Sequence, residues 1–447
     1  MQKIRNYIND MVKSEFYRNI AGLFTGIFAA RLIPALFALA IARLYAPSEF
    51  GTFLLFLSFA SLLSILSTGS YERAILLAED LKQKQHLFRF SMKTNFIVNG
   101  LVMTGLTVFL VSAHPMSLQK MTMYLLVPVF SFFFGGLQLI RNILISNKLF
   151  KKLSLLELVR ALISGVLQTL FFVIPEAGLF LGITIAQIVT FFIFFFRLPE
   201  TSGFRTFRFN SEETGLARRY INFPKYSVPG ELLNYLSSQL PVFMIKPFFG
   251  GTLLGLYSFS HRYLSIPVQL SSISIGSVYV QKAQSLKRSP EELGDLTFDL
   301  YKKQFLTAII PFTLLALWGR EIFGLVFGPD WEFSGTLGQL LAPWLFAVFI
   351  GSPLANILII MEKQNISLLF NVLMLIFRAA ALITGGLILR DISLTIALYS
   401  LTGFLFFSAL TVFSLQMAHV NLYKALRFSA VTFILVVIPL LILKLWI

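Results

Sequence analysis

Twelve times along this chain a run of roughly twenty or more apolar residues is closed by a short polar or turn-forming connection, and alternate connections are basic. A bilayer core of ~30 Å takes about 20 helical residues to cross. No lipid-exposed backbone group can be left unpaired inside it. A chain written this way folds as a bundle of membrane-crossing helices. The apolar runs place spans at 18–43, 50–78, 91–113, 121–145, 153–174, 177–197, 225–249, 252–281, 303–326, 336–361, 366–388 and 392–418. A thirteenth candidate, 428–447, is apolar apart from Lys444.

Composition agrees where it bears on the question. Only 13% of residues are charged, against 56% hydrophobic, with 49 Phe among 447 residues and a mean hydropathy of +0.78. A soluble domain carries ~25% charged residues, so this chain cannot coat water-facing surface along its whole length. The absence of cysteine excludes a disulfide scaffold and a thiolate-held metal or redox centre. No P-loop, HExxH or G-x-S-x-G occurs. The sequence therefore offers no catalytic residue, metal ligand or cofactor site, and the expectation is a protein that is not an enzyme.

Basic residues set the orientation. The first connections on one side carry Lys82, Lys84, Arg89 and Lys93, then Arg141, Lys148, Lys151 and Lys152, and the N-terminal tail (1–17) carries Lys3, Arg5 and Lys13. Connections on the other side, around Pro47, Pro115 and Pro175, are nearly bare. The positive-inside rule puts the basic side and the N-terminus in the cytoplasm. The net charge of +16 thus reads as topology signal, with no nucleic-acid partner expected. The tail reads as retained rather than as a cleaved signal peptide.

The longest polar segment, 198–224, divides the spans six and six and reads as a cytoplasmic linker with a short interfacial helix. It separates an N-terminal bundle (18–197) from a C-terminal bundle (225–418), followed by a basic connection and extra helix (419–447). Ser154-Leu155-Leu156-x-x-Val159 opens span five as Ser367-Leu368-Leu369-x-x-Val372 opens span eleven. Arg43 before Gly51-x-Phe53 matches Lys246 before Gly255-x-Tyr257, again six spans apart. An even offset preserves orientation, so the expected fold is all-α: two six-helix bundles related by parallel pseudo-symmetry, a transporter architecture. Ser289-Pro-Glu-Glu292 has capping-box spacing and predicts a short cytoplasmic helix before span nine.

Charge inside the spans points to cargo. Arg31, Arg262 and Arg378 are central, with Lys246 and His261 nearer the ends or beside them. Three central arginines facing lipid would cost on the order of 8–10 kcal/mol, which argues for a wet cavity. In span eight Ser258, Arg262, Ser265, Gln269, Ser272 and Gly276 recur every three or four residues as one polar stripe. Span seven carries Glu231, Asn234, Ser238 and Pro241 likewise. Glu72, Glu157 and Glu231 sit near cytoplasmic span ends, where Glu72 next to Arg73 and Glu157 before Arg160 predict structural pairs. With no central carboxylate, the cavity is net positive and its expected cargo an anion. A single intramembrane Arg also serves as a helix clamp, Lys246 can snorkel, and His261 can act as a neutral hydrogen-bond partner.

Several stretches, in order, carry a family resemblance: Leu44-Tyr-Ala-Pro-Ser-Glu-Phe-Gly-Thr-Phe53, Thr68-Gly-Ser-Tyr-Glu-Arg-Ala-Ile75, Phe223-Pro-Lys-Tyr-Ser-Val-Pro229, Leu232 to Pro241, Gly255 to Pro267, and Phe327-Gly-Pro-Asp-Trp331. Over about residues 18–418 the chain resembles the polysaccharide-transporter branch of the multidrug/oligosaccharidyl-lipid/polysaccharide (MOP) superfamily, the Wzx-type O-antigen and capsule flippases. The resemblance implies a lipid-linked oligosaccharide on a polyprenyl diphosphate, moved from the inner to the outer leaflet of the bacterial cytoplasmic membrane. It also implies contact with membrane lipids and is compatible with polymerase or glycosyltransferase partners. That family commonly has 12 or 14 spans, so an unpaired thirteenth departs from it. On this reading Arg31, Arg262 and Arg378, with His261 and Lys246, hold the diphosphate. Asn234, Tyr257, Ser258, Ser265 and Gln269 offer hydrogen bonds to sugar hydroxyls.

Four other readings remain open from sequence. A multidrug or ion antiporter of the same superfamily would need acidic cavity residues to carry cationic drugs. A major-facilitator transporter would carry a Gly-x-x-x-Asp-x-x-Gly-Arg signature where this chain has ERAILLAEDLKQKQ. A glycan polymerase or ligase would need a large external loop, and every external connection here is short. A non-transporting scaffold would tolerate loss of the central arginines.

Overall fold

The computed structural model describes residues 32–112, 118–174, 177–201 and 209–446, and among them it contains helices and turns but no strand. In chain order the helices are α1 (Leu32–Leu44), α2 (Pro47–Thr68), α3 (Leu81–Ser112), α4 (Leu118–Ser146), α5 (Phe150–Leu170), α6 (Gly178–Phe195) and α7 (Ser211–Arg219). They continue as α8 (Val228–Ser238), α9 (Leu240–Phe249), α10 (Gly251–Ser285), α11 (Pro290–Phe327), α12 (Glu332–Leu354), α13 (Gln364–Ile383), α14 (Ile392–Met417) and α15 (Leu422–Trp446). Among the described residues, eleven helical segments are long and apolar enough to cross a membrane, while α9 and the described part of α1 are shorter apolar segments. The protein is a multi-pass, all-helical membrane protein. The thirteenth candidate is realised as the 25-residue α15, which starts before the expected Phe428.

Two local expectations are corrected. Span seven is not one helix but a π-helical turn at Phe223–Ser227, then α8, then α9 after a break at Gln239. The cause is Pro241, which has no N–H to continue the ladder and whose ring crowds the carbonyl four residues back. Ser289 does not close a capping box, because its side chain makes no cap hydrogen bond. The helix it precedes is α11, which runs 38 residues into span nine with a single non-helical residue at Trp318. The capping box is instead at Asn210 and Glu213, opening the short linker helix α7.

The chain forms two compact units, one comprising the segment through Tyr45 with Thr52–Gln239, the other Ala46–Gly51 with Leu240–Ile447. In the first, a core of Phe88, Leu139, Ile140, Ile143, Phe191 and Phe194 joins α3, α4 and α6. Beside it runs a buried polar chain in which Ser67 donates to the Asn95 side-chain oxygen at 2.7 Å and the Asn95 amide donates to the Phe132 carbonyl at 2.9 Å. Arg73 pairs with Glu231 at 2.9 Å, and Ser70 donates to the same carboxylate. Arg73 thus reaches across to α8, and Oε2 of the neighbouring Glu72 is buried without a hydrogen-bond partner. The Glu157–Arg160 pair forms as the spacing predicts, at 2.5 Å.

The linker helix α7 is fixed to this unit by charge. Lys93 of α3 and Glu213 meet at 2.6 Å with side chains only 3% and 4% exposed. Glu212 meets Lys82 at 3.1 Å on the surface.

In the second unit the first turn of α2 crosses the start of α10 so closely that a Cβ on Gly51 would collide with the Gly251 carbonyl, and one on Gly255 with the Pro47 carbonyl. These are the two glycines that occupy matching places in the sequence. Next to the crossing, Trp331 is fully buried, its ring 3.9 Å from that of Phe259 and 5.5 Å from that of Phe50.

Two outcomes follow from the α7 clamp. Lys93→Met strands the Glu213 carboxylate and should cost about 3–5 kcal/mol, whereas Lys93→Met with Glu213→Leu should recover most of it; melting curves in detergent measure both. Glu212 is held below the ordinary 4.5 chiefly by its hydrogen bond to Lys82. A lowered carboxylate stabilises above its unfolded value and loses that contribution as pH falls through the folded one. The protection of the α7 amides, with exchange corrected for its intrinsic pH dependence, should therefore be flat from neutral pH to about pH 5 and fall only in more acid solution, with Lys82→Gln removing that fall.

Candidate functional site

In the second unit α10, α12, α13 and α14 meet around one cation. Tyr257 and His261 are four residues apart on α10, so their rings lie one above the other, with centroids 5.8 Å apart and planes within 9°. The next ring in the column is Trp344 of α12, 5.5 Å from His261 and again within 9°. Tyr399 of α14 stands edge-on to Trp344 at 5.4 Å. Into this aromatic corner α13 sends Arg378, whose guanidinium carbon lies 4.2 Å from the Trp344 ring centre and 4.8 Å from that of Tyr399. Gly403 on α14 makes room: a Cβ there would press on both Nη2 of Arg378 and the indole.

Cation–π contacts of this kind contribute ~2 kcal/mol or more when desolvated, but they do not satisfy N–H donors. Nε and Nη2 of Arg378 and Nε1 of Trp344 are buried without a hydrogen-bond partner, as are the hydroxyls of Ser258 and Ser400. Among the described residues neither Arg378 nor Arg262 has a carboxylate in ion-pair range, while the acids of the first unit, Glu157, Glu213 and Glu231, do pair with bases. The corner is therefore rich in donors and positive in charge. Chemically it can accept an anion.

The other expected site residues are distributed as follows. Arg31 lies outside the described residues. Arg262 is partly exposed on α10, one residue after His261. Ser265 is buried, donates to the Arg262 carbonyl at 3.1 Å and accepts from the Gln269 amide at 3.2 Å, and Gln269 is exposed. Farther along the stripe, Ser272 bonds Ser352 at 2.5 Å and Gly276 abuts the Asn356 side chain, so that stretch packs α10 against α12 and the turn after it. Lys246 is exposed in the last turn of α9. Asn234 is exposed on α8, in the first unit. Tyr257 and Ser258 are buried. The structure thus brings Tyr257, His261 and Arg378 together. Sequence reasoning missed Trp344 and Tyr399, although a Trp near the middle of a span, away from the interfacial belt that Trp favours, was a usable signal.

The fold is one shared with solved membrane transporters. The lipid II flippase MurJ, in an inward closed conformation, superposes with a TM-score of 0.71 at 12% identity over 94% of this chain and 92% of its own. An inward-facing MATE multidrug-resistance transporter of the MOP superfamily gives 0.58 at 13% identity over 94% and 97%. A MOP transporter from Pyrococcus furiosus gives 0.56 at 12% over 92% and 97%. The chain belongs to the polysaccharide biosynthesis protein family, whose model matches residues 12–334. No match was found among curated proteins. Identities this low show a shared fold and leave the cargo open.

The arginine corner gives a sharp expectation. Lys cannot spread its charge over two rings as the planar guanidinium does, so Arg378→Lys should cost about 1–2 kcal/mol of stability. Trp344→Leu should cost at least as much, and in that background Arg378→Lys should add little. A double-mutant cycle on melting temperatures measures the coupling.

Proposed function

We propose that this protein is a flippase that moves a polyprenyl-diphosphate-linked oligosaccharide from the inner to the outer leaflet of the bacterial cytoplasmic membrane, for surface-polysaccharide biosynthesis. The observation that carries this reading is Arg378, a cation inside a membrane-crossing unit with aromatic walls, unsatisfied donors and no carboxylate. A diphosphate brings about two negative charges and only acceptors, which is what such a group lacks; Arg forks match phosphate oxygens bidentately. Family membership supports a role in polysaccharide biosynthesis, and the fold is one that a lipid II flippase uses.

On this reading Arg378 and Arg262, with Arg31, His261 and Lys246, hold the headgroup during alternating access between two bundles with the N-terminus inside. Ser265, Gln269 and Asn234, with Tyr257 and Ser258, serve the sugar hydroxyls. An inside-negative potential assists outward movement by ~2.3 kcal/mol per charge per 100 mV.

The test is flipping of a fluorescent polyprenyl-diphosphate oligosaccharide in proteoliposomes with and without an imposed potential. Wild type should flip faster with the inside negative, and Arg262→Ala/Arg378→Ala should lose at least tenfold in rate while retaining its melting temperature to within a few degrees. Wild type that flips nothing and exports a cationic dye against a proton or sodium gradient would make it a drug antiporter instead. Because the chain has no cysteine, single cysteines placed in the 82–93 and 328–331 segments read its orientation directly.

A further inference from the structure

The first unit holds two arginines that share a single acid. Arg160 Nη2 lies 2.5 Å from one oxygen of Glu157, its neighbour on α5, and Arg141 Nε of α4 lies 3.7 Å from the other. The first contact is a charge-assisted hydrogen bond, whereas the second is too long for one. The Arg141 fork is therefore held by charge alone. Among the described residues no other carboxylate is in ion-pair range of either arginine, so the triad carries one surplus positive charge.

A helix clamp does not account for this arrangement. To join α4 to α5, the short contact would have to be the one that Arg141 makes. It belongs instead to Arg160, which sits on the same helix as the acid.

Helical spacing places the triad on the inner side of α5. Leu155, Leu162 and Val166 are exposed, recur seven and four residues apart, and mark the lipid-facing side of that helix. Glu157 and Arg160 fall on the opposite stripe, between Leu153 and Gln168, which are sealed. Yet the side chains of Arg141 and Arg160 remain 43% and 32% exposed. Open space thus lies in front of both guanidiniums, on the side away from lipid. At 1.5 Å per residue, Arg141 is about 7.5 Å and Arg160 about 15 Å from the α4–α5 turn, the end that carries Lys148, Lys151 and Lys152. Ionisable groups within spans that face open space mark the paths of ligands and ions.

Charge count and geometry select the ligand. A halide or a single phosphodiester cancels the surplus charge but leaves one fork unused. A diphosphate brings about two negative charges on two linked groups, and Arg forks match phosphate oxygens bidentately. One phosphate can take the Arg141 fork while the other takes the Arg160 donors in competition with Glu157.

We propose that Arg141 and Arg160 form a diphosphate-binding site in the first unit, with Glu157 as a resident competitor that keeps weaker anions off. The diphosphate reaches it either as the headgroup of a lipid or as a free solute; only the lipid source rests on the cargo reading given above. With that source, the headgroup meets the first unit at residues separate from the arginine corner of the second.

Calorimetric titration of the intact protein in detergent tests this with inorganic pyrophosphate, in the Arg262→Ala/Arg378→Ala background so that the arginine corner adds nothing. Uptake of pyrophosphate is expected. Arg141→Gln leaves the Glu157–Arg160 hydrogen bond in place and should fold normally, yet weaken binding at least about tenfold, with Arg141→Lys restoring only part. Glu157→Gln removes a like charge beside the ligand and should tighten binding about threefold or more. That sign separates a ligand site from a clamp, for which all three variants would lower the melting temperature and leave affinity unchanged. Competition then identifies the source. Displacement of pyrophosphate by polyprenyl diphosphate at lower concentration assigns a lipid headgroup, and displacement by soluble diphosphates alone assigns a free solute. No pyrophosphate uptake, an affinity unmoved by Arg141→Gln or lowered by Glu157→Gln, or phosphatidylglycerol competing as well as polyprenyl diphosphate overturns the proposal. None of these readouts involves flipping, so a failed flipping assay and a failed diphosphate site are told apart.

Discussion

Helices in a bilayer gain nothing by hiding apolar surface from lipid, so close packing and buried polar contacts must hold this bundle together. The structure shows both devices. Gly51 and Gly255 let two helices meet backbone to backbone, and Gly403 leaves space for a guanidinium and an indole at once. Phenylalanine supplies much of the rest: Phe132, Phe133, Phe191 and Phe192 form a mainly edge-to-face ladder in the first unit, and Phe195 stacks on Phe191. Edge-to-face geometry adds to area-independent attraction, which is the kind of energy that lipid does not cancel.

The two units use charge in opposite ways. In the first, several buried or half-buried acids are matched to a base, Glu72 being an exception, and two of the matches join segments far apart in sequence: Lys93 to Glu213, Arg73 to Glu231. These pairs fix structure. In the second unit Arg378 has been given aromatic faces instead of a carboxylate. Such faces lower the cost of the charge without neutralising it, and the field it projects stays available to a ligand. Replacing the aromatic walls by an acid would stabilise the arginine more and end that availability.

Much of the fold was legible in the sequence because a lipid solvent imposes a simple rule on composition: twenty apolar residues, then a break. The α7 helix in the polar segment was legible for a similar reason, its run of charge being unfit for the membrane. What escaped was set by particular contacts. Ser289 has the right neighbours for a cap, yet its side chain does not turn toward them. Span seven breaks because Pro241 sits where a helix needs a donor, a residue visible in the sequence but placed there only in the polar stripe of span seven. Of the site, Arg378, His261 and Tyr257 could be chosen on charge and spacing, whereas Trp344 and Tyr399 come from two other helices and are brought to Arg378 only by packing. The deeper half of the α10 stripe looked like cavity lining because small polar residues serve helix contact and water contact equally well; Ser272 shows which use prevailed there.

The long polar segment between the sixth and seventh spans looks like the natural seam of the chain, but its helix α7 is clamped into the first unit, and that unit continues through α8 to Gln239. A short piece, Ala46–Gly51, belongs to the second unit although nearly two hundred residues of the first follow it. The polypeptide therefore passes from one unit to the other three times, and never in the linker. Two fragments cut at the linker would not be two halves: each would carry away a part that the other needs, so the molecule is interlaced where its sequence looks merely tandem.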